Sequence, residues 1–200
     1  MKESNLKIIK DDTVFQTAKE NMDYDAHLIQ HLQENTRIER QYRWQLPSIT
    51  ISYKQECLPE LIHLDHAKRV TGGGIVFHSP GDIVFSIAFW DSDTVYTGTI
   101  KNKLAILAKK IQHKLTASGV DIDQKANPSP INYERCSQYP TPFEIMVKGK
   151  KICGLTIRKF RERYLIQGIL HTENSHNAFL PFTCINERFS SLGAEFDYLF

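Results

Sequence analysis

Only two long stretches of this chain repeat their apolar residues at helical spacing; most other patterned segments alternate with a period of two. In residues 13–34, Ala18, Met22, Ala26, Ile29 and Leu32 fall on one helical face. In residues 101–118, Leu104, Leu107, Ala108, Ile111 and Leu115 do the same, and Gly119 follows as a suitable C-terminal cap. The remaining patterned segments read as strands. Residues 40–55, RQYRWQLPSITISYKQ, predict two short strands joined by a polar turn, and residues 58–66 a short helix. Residues 75–77 and 82–89, separated by Ser79-Pro80-Gly81, predict a hairpin. FEIMVKGKKICGLTIRK turns at Lys148-Gly149 and YLIQGILHT alternates again, which predicts three strands in meander order. Residues 127–142, rich in Pro, Ser and Asn, predict a long loop. Two helices among seven or so strands in mixed order imply an α+β domain with a mixed, mostly antiparallel sheet rather than a doubly wound one.

With 200 residues, 41% of them hydrophobic, the chain supplies one sizeable core and is expected to form a single domain. Its 25 basic and 23 acidic residues nearly balance, so nothing in the overall charge calls for a nucleic acid or a membrane surface. The longest apolar run, IVFSIAFW, is far shorter than a membrane span, and MKESNLKIIKDD lacks the features of a signal peptide. A cytoplasmic protein is expected. The four cysteines, Cys57, Cys136, Cys153 and Cys184, form no CxxC pair, and the histidines do not cluster at metal-ligand spacing, so reduced thiols and no metal are expected.

The candidate chemistry begins at Gly72, Gly73 and Gly74, preceded by Lys68 and Arg69. Three glycines let a backbone approach a ligand and present its N–H groups to a phosphate, a pantetheine arm or an acyl carbonyl. A bulged strand corner is an equally good reading, and neither a Walker loop nor a dinucleotide fingerprint is present. Taken singly, His78 reads as a packed structural residue and Lys151 as a solvated hairpin lysine, whose face the alternation leaves open. Cys136 follows Arg135 in the polar loop, where a thiolate can be exposed and helped by cations; Cys57, Cys153 and Cys184 adjoin apolar residues and read as small core residues.

Taken together, these segments resemble the lipoate-protein ligase and octanoyltransferase family, whose catalytic fold is shared with biotin protein ligases, and the resemblance covers most of the chain. NMDYD resembles the helix motif N-M-x-x-D, and YRWQLPSITISYKQ the segment running from Trp and Pro through a strand to Gln. KRVTGGGIVFHSPGDIVFS resembles R-R-x-[ST]-G-G-G-x-V-x-H-D-x-G, and VKGKKICG resembles V-x-G-[KR]-K-[IV]-[SA]-G. The chain departs from these patterns at Lys68, at Ser52, at Ser79 where Asp is usual, and at Gln167-Gly168-Ile169 where H-G-[ST] is usual.

The resemblance implies transfer of an octanoyl or lipoyl group to one lysine of a lipoyl carrier domain. Arg69, Gly72, Gly73, Gly74, His78 and Gly154 then match substrate-binding positions, and Lys151 matches the active-site lysine. CSQYPTPFEIMVKGKK resembles the C-x6-[YF]-E-[IL]-x-V-x-G-[KR]-K of the transferases that form a thioester, which makes Cys136 the nucleophile. That route implies no cofactor. Its partners would be lipoyl-domain proteins, namely 2-oxoacid dehydrogenase subunits and a glycine cleavage H-like protein, with acyl carrier protein as a possible donor. The two-domain ligases carry a C-terminal accessory domain for which residues 1–200 leave no room. Two alternatives stay open: a ligase that uses ATP and Mg to form lipoyl-adenylate, and a non-catalytic module that binds an acyl group or a carrier domain.

Overall fold

The computed structural model describes residues 6–123, 143–171 and 199. Nine strands among them form two sheets. The larger has the order β1 (Lys7–Asp11), β2 (Thr36–Arg43), β6 (Ile83–Trp90), β9 (Arg163–Leu170), β8 (Lys150–Phe160), β7 (Ile145–Val147), and only the β1–β2 pairing is parallel. The smaller has the order β4 (Asp65–Arg69), β3 (Ser48–Ser52), β5 (Val76–His78), with β3 parallel to β4 and antiparallel to β5. Two helices, α1 (Ala18–Gln30) and α2 (Ile100–Ala117), complete the α+β architecture expected from the periodicities. No helix among the described residues is long and apolar enough to cross a membrane.

Strand β6 shows why IVFSIAFW is apolar on both of its faces. Ile83, Phe85, Ile87 and Phe89 point to one side and pack with Leu104, Leu107, Ile111 and Leu115 of α2. Val84 and Ala88 point to the other, where Ala18, Met22, Ile29 and Leu32 from α1 and its exit meet them. Strand β6 is central in its sheet and covered above and below, so an unbroken apolar run is what its position requires. Strand β9 alternates in the same sense: Tyr164, Ile166 and Leu170 pack with α2, and Leu165 and Ile169 with the α1 layer. The smaller sheet has its own apolar cluster of Ile49, Ile51, Leu61, Ile75 and Phe77.

Helix α1 starts later than its periodicity suggests. Thr17 caps it, accepting from Glu20 N–H while the Glu20 carboxylate accepts from Thr17 N–H, a capping box that fixes the first turn at Ala18. Two expectations are corrected. Residues 58–66 contain only a 3-10 turn, Pro59–Leu61, and then enter β4, whose parallel pairing with β3 overrides local helix preference. The segments at 75–77 and 82–89 are not a hairpin. Strands β5 and β6 belong to different sheets, and Ser79-Pro80-Gly81 is a corner: Gly81 N–H donates to the Trp44 carbonyl and Trp44 N–H to the Asp82 carbonyl. The turn at Lys148-Gly149 does close a hairpin, with φ of 51° and 73° at its two central residues, the type I′ signs that suit twisted strands.

Candidate active site

The glycine segment leaves β4 and crosses the sheet seam as a loop whose carbonyls are held from outside. Arg69 donates from Nε and Nη2 to Gly72 O, from Nη2 to Gly74 O at 2.6 Å, and from Nη1 to Thr50 O at 2.9 Å. Thr156 Oγ1 donates to Gly72 O, and Arg158 Nη1 to Val70 O at 2.7 Å. Gly73 has φ of 97°, a conformation that favours glycine. With these carbonyls engaged, and no hydrogen bond from the N–H groups of Gly72, Gly73 or Gly74 to the described residues, the N–H groups are what the loop offers a ligand.

A second set of bonds ties this loop to α1. Thr71 Oγ1 donates to Gln167 Oε1 at 2.6 Å, and Gln167 Nε2 donates to Asp25 Oδ2 at 2.6 Å. Asp25 also accepts from Ser86 Oγ and from Arg40 Nη1, in an ion pair with both side chains fully buried. The remaining Arg40 donors go to Thr13 O, Asn21 O and Asn21 Oδ1, and its guanidinium lies 3.9 Å from the Tyr42 ring centroid. Asn21 and Asp25, the buried polar members of NMDYD, therefore lock α1 to the sheet, and Gln167 relays that attachment to the glycine loop.

Loop, sheets and α1 enclose a cavity of about 420 Å³, within the range of small-molecule sites. Met22, Val76, Val84, Leu155, Ile157 and Ile169 give it apolar walls. Of the residues singled out in the sequence, Arg69, Gly72, Gly73, His78, Lys151 and Gly154 line it; Gly74 does not, and contributes its carbonyl to Arg69. Cys136 lies outside the described residues, as do Cys184 and the loop at 127–142. Cys153 is fully buried, as expected for a core residue, whereas Cys57 is only partly so. Among the described residues no group of three or more His, Cys, Asp or Glu side chains could hold a metal ion.

Lys151 reaches the cavity through an irregularity the alternation could not reveal. Ile145 pairs with Cys153 while Met146 pairs with Lys151, so β8 carries an extra residue at Ile152. Ile152 and Cys153 both enter the α2-side core, and Lys151 comes to the same face as Gly154, which has room for it: a Cβ at Gly154 would lie 2.9 Å from Lys151 Cε and 3.2 Å from Nζ. Glu144, at the start of the same hairpin, forms a buried ion pair with Lys151 Nζ.

His78 stacks on Trp44 with centroids 4.1 Å apart, and its Nε2 lies 2.8 Å from Thr50 Oγ1. Thr50 Oγ1 also accepts from Arg69 Nη1, so one hydroxyl ties His78 to the arginine that holds the glycine loop. His78 Nδ1 is buried and has no hydrogen-bond partner among the described residues. Burial, His171 and Arg69, in that order, hold the imidazole well below its ordinary pKa, so it is neutral near pH 7. His171 lines the same cavity, and its Nδ1 lies 3.2 Å from the Asp82 carboxylate. Asp25 and Glu144 were read only as motif positions without a role, and Asp82 and His171 were not singled out by sequence reasoning. A signal for the last two lies in the departures noted above: Asp and His are missing at 79 and 167 and present at 82 and 171.

The family model of the lipoyl protein ligase A/B catalytic domain matches residues 17–191. The octanoyltransferase LipM of Oceanobacillus iheyensis is 29% identical over 124 residues, 58% of this chain and 45% of that protein. That of Clostridioides difficile is 22% identical over 126 residues, 58% of this chain and 46% of that protein. The chain thus spans under half the length of these curated relatives. Among solved structures, lipoate-protein ligase A bound with ATP superposes with a TM-score of 0.69 and 22% identity, over 93% of this chain and 75% of that one, a likeness of fold. With the match extending over most of its length, the chain belongs to the lipoyl protein ligase A/B catalytic domain family.

Proposed function

We propose that this chain is an octanoyl or lipoyl acyltransferase of protein lipoylation that works through a thioester on Cys136. The observation that carries the acyl-transfer reading is the placement of Lys151, a buried ammonium on the wall of an apolar cavity whose rim is a glycine loop with N–H groups to offer. Preorganised donors of this kind stabilise the oxygen charge that develops when an acyl carbonyl is attacked, and the apolar walls suit an eight-carbon chain. The likeness to two octanoyltransferases supports the same reaction class.

In this scheme the Cys136 thiolate attacks the carbonyl of a thioester or amide donor, and the donor thiolate or amine leaves with a proton. The amine of a lipoyl-domain lysine then attacks the acyl-Cys136, forming the amide and releasing the thiol. Lys151 and the loop N–H groups stabilise both tetrahedral oxyanions, while Arg69 and His78 shape the loop and the cavity end. No cofactor is needed on this route. The acceptors are lipoyl-domain proteins, namely 2-oxoacid dehydrogenase subunits and a glycine cleavage H-like protein, acyl carrier protein is the donor we favour, and the reaction is cytoplasmic.

A second reading is a ligase that forms lipoyl-adenylate, in which the same glycine N–H groups and Lys151 would hold phosphate oxygens of ATP. Intact-protein mass spectrometry after mixing the chain with octanoyl acyl carrier protein, without ATP, separates the two. A hydroxylamine-labile octanoyl adduct mapped to Cys136 supports the thioester route. Modification of a lipoyl domain only with lipoate and ATP, and no adduct, replaces it with the ligase.

A further inference from the structure

The glycine loop has few side chains with which to hold itself. In Val70-Thr71-Gly72-Gly73-Gly74 only Thr71 carries a polar one. The carbonyls of Val70, Gly72 and Gly74 accept from Arg158, Thr156 and Arg69, and that of Thr71 accepts from Tyr53 N–H at 3.4 Å. In each of these bonds the donor stands outside the loop. The Thr71 hydroxyl runs the other way: it is fully buried and donates to Gln167 Oε1 at 2.6 Å.

Gln167 meets Thr71 in one orientation only. Its Nε2 donates to Asp25 Oδ2 at 2.6 Å, while Asp25 Oδ1 accepts from Arg40 Nη1 and Ser86 Oγ. A carboxylate paired with Arg40 offers acceptors alone, so the amide turned round would set Gln167 Oε1 against Asp25 Oδ2 with no hydrogen between them. The ion pair is fully buried, which keeps bulk water from relieving such a contact. Gln167 Nε2 also donates to Met22 Sδ at 3.6 Å, on the cavity wall. With Nε2 committed to α1, Oε1 is committed to Thr71. The loop in turn needs such an anchor. A Cβ added at Gly72 would meet nothing within 4 Å, so packing does not restrain the residue next to Thr71, and a glycine backbone has no Cβ of its own to limit φ and ψ.

We propose that Gln167 and Thr71 are positioning residues for the oxyanion donors: the line of bonds from Arg40 through Asp25 and Gln167 to the Thr71 hydroxyl sets where the glycine N–H groups point. The inference rests on the acyl-transfer reading above. Thr71 adjoins Gly72, so a displaced hydroxyl carries the backbone of Gly72 and Gly73 with it. Donors stabilise a developing oxyanion only when they are already aimed at it, and a loop freed at Thr71 must be ordered again at each turnover. The apolar walls stay where the sheets and α1 put them, so the loss falls on the transition state and not on binding.

The test uses the full chain and the donor that serves wild type, either octanoyl acyl carrier protein or lipoate with ATP, with a lipoyl domain as acceptor. Thr71→Val keeps the shape and removes the hydroxyl; it should remain folded and lose at least ~10-fold in kcat, with KM for donor and acceptor changed by less than about threefold. Thr71→Ser, which restores the hydroxyl, should recover most of that rate, a response that lost packing would not give. Gln167→Leu breaks the same link from its other end and should show the same split, so either end serves if one variant fails to fold. In the double variant the losses should not multiply, because both remove one bond. A folded Thr71→Val with kcat within about threefold of wild type overturns the inference and leaves the acyl-transfer reading standing. A rise in KM at unchanged kcat, equal losses in Thr71→Ser and Thr71→Val, or losses that multiply in the double variant also overturn it. A wild-type chain that transfers from neither donor fails at the acyl-transfer reading itself.

Discussion

Gly154 and Gly168 are near neighbours across β8 and β9, yet a methyl group at each would meet opposite faces of the sheet. At Gly154 it would press on the flexible end of Lys151, which can move aside. Gly154→Ala should therefore leave the melting temperature almost unchanged and lower the acyl-transfer rate about 10-fold, because the ammonium leaves its position. At Gly168 the methyl would lie 2.2 Å from Phe85 Cζ and 2.8 Å from Leu155 Cδ2, in a packed core. Gly168→Ala should cost about 1–3 kcal/mol in urea unfolding. The thiols divide in a similar way. Burial pushes Cys153 up to about 12, with Lys151 pulling it down and Glu144 pushing it up by less, so at pH 8 it carries almost no thiolate. Peptide mapping after iodoacetamide should find Cys153 unmodified in the native chain and fully modified in denaturant.

Helix α1 was legible in the sequence as an apolar stripe, but its polar underside was not. NMDYD is legible as a motif, but not what its Asp25 holds: Arg40 looks like an ordinary surface charge in RIERQYR, and only the folded chain brings Arg40, Ser86 and Gln167 to the same carboxylate. Because Arg40 is fully buried, Asp25→Ala leaves a cation without its partner and should lower stability by about 3–5 kcal/mol in denaturant titration. Thr17→Ala, which removes the cap alone, should cost about 1 kcal/mol. The corner after β5 was misread for a related reason. Ser-Pro-Gly signals a change of direction, but whether the chain reverses or crosses to another sheet is decided by Trp44, whose backbone bonds both sides of the corner from a distant part of the sequence. The β7–β8 turn was legible because its determinants, Lys148 and Gly149, are local.

For the molecule as a whole, the two sheets share a seam, and His78 at that seam makes stability depend on pH. Its folded pKa lies well below the ordinary value near 6.5, through burial first and then His171 and Arg69, so the unfolded chain binds a proton that the folded chain refuses. The stabilisation is complete above about pH 6.5 and is lost as pH falls toward the folded pKa. Urea midpoints should drop between pH 7.5 and pH 5.5, and drop less in His78→Gln. The same seam explains how much of the site could be read in advance. The triplet, Arg69, His78 and Lys151 lie in contiguous motifs, whereas the pairings of Gln167 with Thr71 and of His171 with Asp82 join residues 96 and 89 positions apart. The glycine loop takes its shape from such late arrivals, its anchors Thr156, Arg158 and Gln167 following their loop partners by 84, 88 and 96 residues. During synthesis the ribosome delivers Arg69 and all three glycines long before those anchors exist. A nascent chain therefore has no held glycine loop until β8 and β9 emerge.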